Sequence, residues 1–264
     1  MSLHIRSPLT LGLALSMLAA VGEPAAAGEL EFAFDPANFT PAAAINNQYW
    51  PLIAGSVFVY SSESTDGCAV NELRVTGNTK DDFDAPYESI VAWEVEDREW
   101  LDEDCTGNYA LTERTTDWYA QDQDENIWYF GEDTVAWDHE DECPSSGGAW
   151  QAGRDGAIAG VVLPGDPIIG SWYQQELFEG EAEDRAKVLR LNAKVSIGLG
   201  TFVGCLRTKE YSPLSPGAVE HKNYCPAGGG LLLINELSGG KTVHVELIGN
   251  ALPAGNFATD GVCP

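Results

Sequence analysis

Basic residues are scarce in this chain: 14 Lys and Arg stand against 41 Asp and Glu in 264 residues, a formal net charge of −27. A field of that sign repels phosphate backbones and anionic lipid surfaces. It excludes nucleic-acid binding and favours cations, basic partners or a saline habitat. Long apolar runs are equally scarce. Past residue 27 nothing approaches the ~20 apolar residues a membrane-crossing helix needs, so no membrane span is expected. The residue patterns of several chemistries are also missing. No C-x-x-C pair occurs, which weakens zinc-ribbon and dithiol readings. No G-x-S-x-G elbow and no H-E-x-x-H motif is present, so neither a serine triad nor a zincin site is defensible. Gly228-Gly-Gly230 opens an apolar strand without a following Lys-Ser/Thr and is no phosphate loop. Convincing amphipathic helices, internal repeats and low-complexity linkers are absent too.

The N-terminus carries Met1-Ser-Leu-His-Ile-Arg6, an apolar run from Leu9 to Val21 and Pro24-Ala-Ala-Ala27. This is the pattern of a cleaved signal peptide over residues 1–27, leaving residues 28–264 as a single disulfide-stabilised domain in the periplasm or outside the cell. The six cysteines, at 68, 105, 143, 205, 225 and 263, all follow the cleavage site, as disulfides in an oxidising compartment require. Cys205 and Cys225 flank a predicted hairpin and are expected to pair. Cys105 and Cys143 lie in turns beside another hairpin, which leaves Cys68 for Cys263.

Thirteen short strands are expected between Val57 and Ile248. They include Tyr109–Gln121, Ile127–Trp137, Ser171–Phe178, Gly200–Tyr211 and Ala218–Tyr224. Many short strands with turn residues between them predict an all-β fold, one antiparallel β-barrel or β-sandwich with little helix. One short acidic helical turn is allowed at Phe178–Asp184. The stretch from Thr112 to Trp137 is the richest, with Trp118, Tyr119, Trp128, Tyr129, Phe130 and Trp137 set among seven acids. It reads as a hairpin with one aromatic and one acidic face, because strand side chains alternate.

Five blocks stand out: Ile45-Asn-Asn-Gln-Tyr-Trp-Pro-Leu52; Asp117-Trp-Tyr-Ala-Gln-Asp122 with Asn126-Ile-Trp-Tyr-Phe-Gly-Glu132; Trp150-Gln-Ala-Gly-Arg-Asp-Gly-Ala157; Gly180-Glu-Ala-Glu-Asp184; and Pro216-Gly-Ala-Val-Glu-His-Lys-Asn-Tyr224. Together they resemble a family of exported bacterial proteins of unknown function. The resemblance implies a secreted or lipid-anchored antiparallel β protein and no particular reaction. This chain lacks the lipobox Cys.

Candidate site residues fall into three groups. Glu210 and Glu220 bracket a Pro-Gly turn and should lie together across a hairpin, where like charges need a cation or a proton between them. With the neighbouring His221 they form the candidate acid/base set, although His221 and Lys209 are expected on the opposite face. Glu176, Glu181, Glu183 and Asp184 are the candidate ligands for calcium or another divalent cation, since hard cations take several oxygens from flexible loops. Asp122-x-Asp124-x-Asn126 has calcium-loop spacing but Ile127 where Gly is needed, and reads as a polar hairpin tip. Trp118, Trp128, Tyr129 and Trp172 are the candidate ligand-stacking residues. His139, in the acidic segment 138–142, is expected to be exposed, and His244 to lie on a strand surface.

Three readings follow for function. The leading one is a soluble exported binding protein for a small apolar or glycan-like ligand, because aromatic faces bury large area at low entropic cost. Its rivals are a carboxylate-dependent glycoside hydrolase or lyase, using Glu210 with Glu220 or Glu132 with Glu176, and a surface protein whose barrel is filled by its own side chains.

Overall fold

The computed structural model describes residues 28–137 and 143–263; the expected leader and the segment carrying His139 lie outside them. Fifteen strands form: β1 Val57–Ser64, β2 Gly67–Lys80, β3 Ala92–Asp102, β4 Asn108–Gln121, β5 Ile127–Ala136, β6 Trp150–Gln151, β7 Ile158–Leu163, β8 Trp172–Gln174, β9 Glu176–Leu177, β10 Arg185–Ile197, β11 Gly200–Tyr211, β12 Val219–Cys225, β13 Gly230–Ser238, β14 Lys241–Gly249 and β15 Asn256–Phe257. Thirteen of them make one nearly closed antiparallel barrel in the order β8-β10-β11-β12-β13-β14-β1-β2-β3-β4-β5-β7-β9. Among the described residues the helical elements are two 3₁₀ turns, Pro36–Asn38 and Pro226–Gly228. The acidic stretch after β9 takes no helix; Phe178 instead bridges Ala182 across a tight loop.

The expected strand Ser171–Phe178 breaks at Gln175, and its halves become β8 and β9, the two ends of the sheet. The barrel's seam therefore falls within one continuous piece of chain. Gln175 is buried and donates from Nε2 to the Val162 carbonyl at 3.3 Å on one side and to Glu210 Oε2 at 3.2 Å on the other. A Cβ at Gly160 would collide with the Gln175 backbone, so glycine there permits the close approach. The N-terminal arm straps the seam from outside, pairing Glu29 with Trp172.

Phase along β4 and β5 decides what faces inward. Tyr119 pairs with Tyr129 and Asp117 with Glu132, with a register shift between the two pairs. Tyr129 and Glu132 are three residues apart, so strict alternation would send them to opposite faces. The bulge at Gly131 (φ 124°) cancels the extra step, and any Cβ there would strike the Trp150 backbone. The two faces are consequently not one aromatic and one acidic, as expected from alternation. Tyr119, Tyr129, Asp117 and Glu132 all turn in. Trp128 and Phe130 turn out, under the N-terminal arm: Trp128 meets Phe32, Phe34 and Phe39 edge-on at 6.4, 5.9 and 5.8 Å.

A sheet of this many strands encloses more width than its own side chains fill, and residues 45–52 plug one end. Ile45 and Leu52 bridge to each other and are buried with Asn47, Tyr49 and Trp50. Gln121 Oε1 accepts from the backbone N–H groups of Asn46 and Asn47, both at 2.8 Å. Asn47 Oδ1 in turn accepts from the Tyr49 N–H at 2.8 Å. The plug is thus held by hydrogen bonds to the β4–β5 hairpin and presents the Trp50 ring to the barrel interior.

Three disulfides form, Cys68–Cys105, Cys143–Cys263 and Cys205–Cys225. The last was expected; the other two correct the expected Cys105–Cys143 and Cys68–Cys263. The reason is register. Cys68 pairs with Asp102 across β2 and β3, which sets it beside Cys105 in the next turn. Cys263 then lies with Cys143, after β15 has bound the edge of β4. Three disulfides fit an oxidising compartment. No helix among the described residues is long and apolar enough to cross a membrane.

Candidate functional site in the barrel interior

A cavity of about 250 Å³ lies between the plug and the strands, lined by side chains from around the barrel. Trp50 forms one wall, packing edge-on to Tyr119 at 5.6 Å and tilted against Tyr224 at 5.8 Å. Tyr119 continues into a stack with Tyr129 at 4.8 Å. Asp97, Asp117, Glu132, Glu210 and Lys222 line the same space. The acids come from both sides of the barrel, Asp97, Asp117 and Glu132 from β3, β4 and β5 and Glu210 from β11, on the inner face that the period of two sets.

Glu210 pairs directly with Glu220 across β11 and β12, and the cation that such a pair demands is Lys222, two residues along on the same inner face. Its Nζ lies 2.9 Å from Glu210 Oε2 and 3.2 Å from Glu220 Oε2. Glu210 Oε1 also accepts from Thr208 Oγ1 at 2.7 Å and Tyr224 OH at 3.3 Å, so with Gln175 and Lys222 its oxygens have four donors. Burial alone would lower the Lys222 pKa, but Glu210 and Glu220 more than offset it and hold the ammonium well above its usual range. Lysine occupies the place a divalent ion would take.

Across the barrel the charge is handled differently. Tyr129 OH lies 2.6 Å from Asp117 Oδ1 and 2.6 Å from Glu132 Oε2. One hydroxyl has one proton to donate, so the second hydrogen bond requires a protonated carboxyl. Burial and the neighbouring Glu132 charge push Asp117 well above the carboxylate range. Glu132 is raised to about 7 by burial and, past the opposing Tyr129 hydrogen bond, by Glu113. Glu176 reaches about 8 through burial and the charges of Asp184 and Glu132, against the hydrogen bond that Trp150 Nε1 donates at 3.1 Å. Asp97 reaches about 7 through burial and the charges of Glu99 and Glu113. Along this wall burial favours the protonated form of the carboxyls.

The remaining sequence candidates disperse. His221 lies on the outer face, where burial and then Arg207 and Lys209 lower its pKa; its neighbours on that face are cations, not Glu210 and Glu220. Glu181 and Asp184 line a groove of about 320 Å³ together with Glu210 and Glu220. Glu183 Oε1 instead accepts from the Gly180 N–H at 2.9 Å and closes its own loop. Among the described residues no group of three or more His, Cys, Asp or Glu is arranged to hold a metal ion. Asp122 is spent on the hairpin tip, accepting from the N–H groups of Asp124 and Asn126 and from Trp128 Nε1. Of the four stacking candidates Tyr129 faces the interior. Trp128 is sealed under the arm. Trp118 lies below Lys80 at 4.7 Å, beside a surface groove it shares with Trp150, and Trp172 lies below Arg185 at 5.6 Å. Sequence reasoning passed over Asp97, Asp117, Lys222 and Trp50. Lys222 was within reach, since it shares the period-two face of Glu220.

No protein-family model, curated protein or solved structure matches the chain.

Proposed function

We propose that the chain is an exported binding protein that holds one small polar ligand inside its barrel. The observation that carries this reading is the cavity itself. A barrel serving only as structure would fill its interior with apolar side chains, whereas this one keeps about 250 Å³ open between aromatic rings and charged groups. That volume is just below the roughly 300–1,000 Å³ of drug-sized ligand sites, so the ligand is small. Convergent polar groups beside apolar and aromatic side chains are the general makeup of such sites. Native mass spectrometry of protein purified from its own exporting cells tests this: one small molecule per chain is expected, released on denaturation and lost from Ile234→Phe, which fills the cavity. A folded chain that carries nothing, and that no member of a metabolite library stabilises against heat, would overturn it.

A carboxylate enzyme is the second reading, favoured by the Asp117–Tyr129–Glu132 bridge. A carboxyl kept protonated near neutral pH is what a general acid requires. Glu132→Gln should then abolish turnover of an aryl glycoside while leaving its binding intact.

A further inference from the structure

Six of the chain's 14 Lys and Arg lie on β10 and β11, where a single acid, Glu210, turns into the barrel. In a chain of net charge −27 that concentration makes one stretch of wall basic against the field of the whole. The cations share the outer face. Ala186 and Val188 are fully buried on either side of Lys187, while Lys209 and His221 each precede a residue that lines the cavity, Glu210 and Lys222. Residues directly opposite across antiparallel strands lie on one face, and Lys187 pairs with Lys209 as Arg190 does with Arg207. Like charges so placed destabilise a sheet.

The cations of β2 and β3 carry no such cost. Arg74 and Arg98 each hold a glutamate two residues away on their own strand, Glu72 at 2.9 Å and Glu96 at 2.7 Å. Among the described residues Lys187, Arg190, Arg207 and Lys209 have no acid within ion-pair reach. Arg207 donates from Nε to Asn223 Oδ1 at 2.7 Å, and Lys209 lies over the Tyr211 ring at 5.4 Å. An anionic partner would relieve this repulsion.

Shape and charge choose among such partners. Trp172 pairs with Lys187, Lys187 with Lys209, His221 with Asn235 and Asn235 with His244. Lys209 meets His221 in the register that joins Arg207 to Asn223 and Glu210 to Glu220. These six side chains form one row across β8 and β10 to β14, stepping ~4.8 Å per strand. Acids border the band, with Glu29 beside Trp172 and Glu246 opposite Leu233 on β14. The Debye length in physiological salt is about 8 Å, so a bilayer or a duplex would face those acids too, whereas a chain one sugar ring wide would face mainly the row. Single-stranded nucleic acid stacks successive bases on successive aromatic rings, and the row's interior is Lys, Lys, His and Asn. A polymer of uronic acids has the complementary makeup: one carboxylate per ring, hydroxyls for the polar side chains and an apolar ring face for an indole.

We propose that the outer face of β8 and β10 to β12 is a second binding site, independent of the interior cavity, for a single chain of an acidic polysaccharide. Its carboxylates pair with Lys187, Lys209 and the Arg190/Arg207 pair, and a sugar ring packs against Trp172.

Titration of the full exported protein in low-salt buffer tests the site, with oligogalacturonate and oligomannuronate each set against the neutral oligogalactose or oligomannose of equal length. At least one acidic oligomer should bind where its neutral counterpart does not, and physiological salt should weaken that binding severalfold, as screening requires. The double variant Lys187→Gln/Lys209→Gln should lose about tenfold in affinity, the worth of two exposed charge pairs. Its melting temperature should be no lower than that of the unaltered chain, because a repulsive pair has gone. Lys241→Gln, at the start of β14, should change nothing. Failure of both acidic oligomers to bind, or an equal loss of affinity in Lys241→Gln, would overturn the site. Tighter binding of single-stranded DNA or of anionic lipid vesicles than of either oligomer would overturn the polysaccharide as its partner.

Discussion

Two carboxylate pairs stand on adjacent antiparallel strands on opposite sides of the barrel, with Asp117, Glu132 and Glu210 lining one cavity and Glu220 the neighbouring groove, and their charge is handled in different ways. Glu210 and Glu220 share the ammonium of Lys222, whereas Asp117 and Glu132 share the hydroxyl of Tyr129 and a proton. A fixed cation makes the first pair part of the scaffold. A proton can leave, which makes the second pair responsive to pH and open to an incoming cation. One wall is structural and the other is chemically available, although both are acidic.

Removing the cation is the strongest way to break this contrast. Lys222→Met leaves Glu210 buried without its countercharge, and urea unfolding at pH 8 should show a loss of about 3–5 kcal/mol. The double variant with Glu210→Gln should recover most of it. A loss under about 1 kcal/mol would show that Lys222 is not what holds that wall.

The protonated wall predicts a pH dependence of the opposite sense to that of ordinary salt-bridged acids. Asp97 and Glu132 titrate near 7 and Glu176 near 8 in the folded chain, against ordinary values of 3.8 for Asp and 4.5 for Glu. Between these limits the folded state binds more protons than the unfolded one, so stability is present in full at the acidic end and is lost as pH rises. The melting temperature should therefore fall from pH 5 to pH 8.5. Glu132→Gln should flatten the decline and stabilise the chain at pH 8 by about 1–3 kcal/mol, the cost of ionising a buried acid. A wild-type melting temperature that climbs across this range would refute the proton-neutralised wall.

Tyr129→Phe should have a smaller effect. It removes a donor from two carboxyls but leaves them free to share their own proton, and about 1–2 kcal/mol should be lost at pH 6. His221→Ala should change unfolding by less than ~0.5 kcal/mol, as expected for an outer-face substitution. A larger effect would mean that titrating chemistry extends beyond the interior.

The fold class was legible because strands and turns are encoded locally. The Glu210/Glu220 pairing was legible for the same reason: a Pro-Gly turn sets the register of its own hairpin. The Asp117/Glu132 pair was not, because one bulge at Gly131 shifts the phase of everything after it, and a bulge leaves no mark beyond the glycine itself. That single step put Glu132 on the inner face with Tyr129, whereas both Trp128 and Tyr129 had been expected to stack on a ligand. The block around Trp50 carried no strand signal, and its place as a plug depends on the width of a barrel closed by residues more than a hundred positions away. The Cys68–Cys105 and Cys143–Cys263 pairings were closed to sequence reasoning because they depend on the register of β2 with β3 and on where β15 meets β4.

The seam at Gln175 bears on how anything enters. Its edge strands are three and two residues long, and one amide side chain spans between the Val162 carbonyl and Glu210. Short ladders are the elements that open at the least free energy. Amide hydrogens of residues 172–177 should exchange well ahead of those in β2 to β4, as a cooperative unit hinged on the strapping arm. A transient slit there would lead past Glu210 to the cavity, a route of exchange opened by local unfolding of this one short segment with the rest of the barrel staying intact.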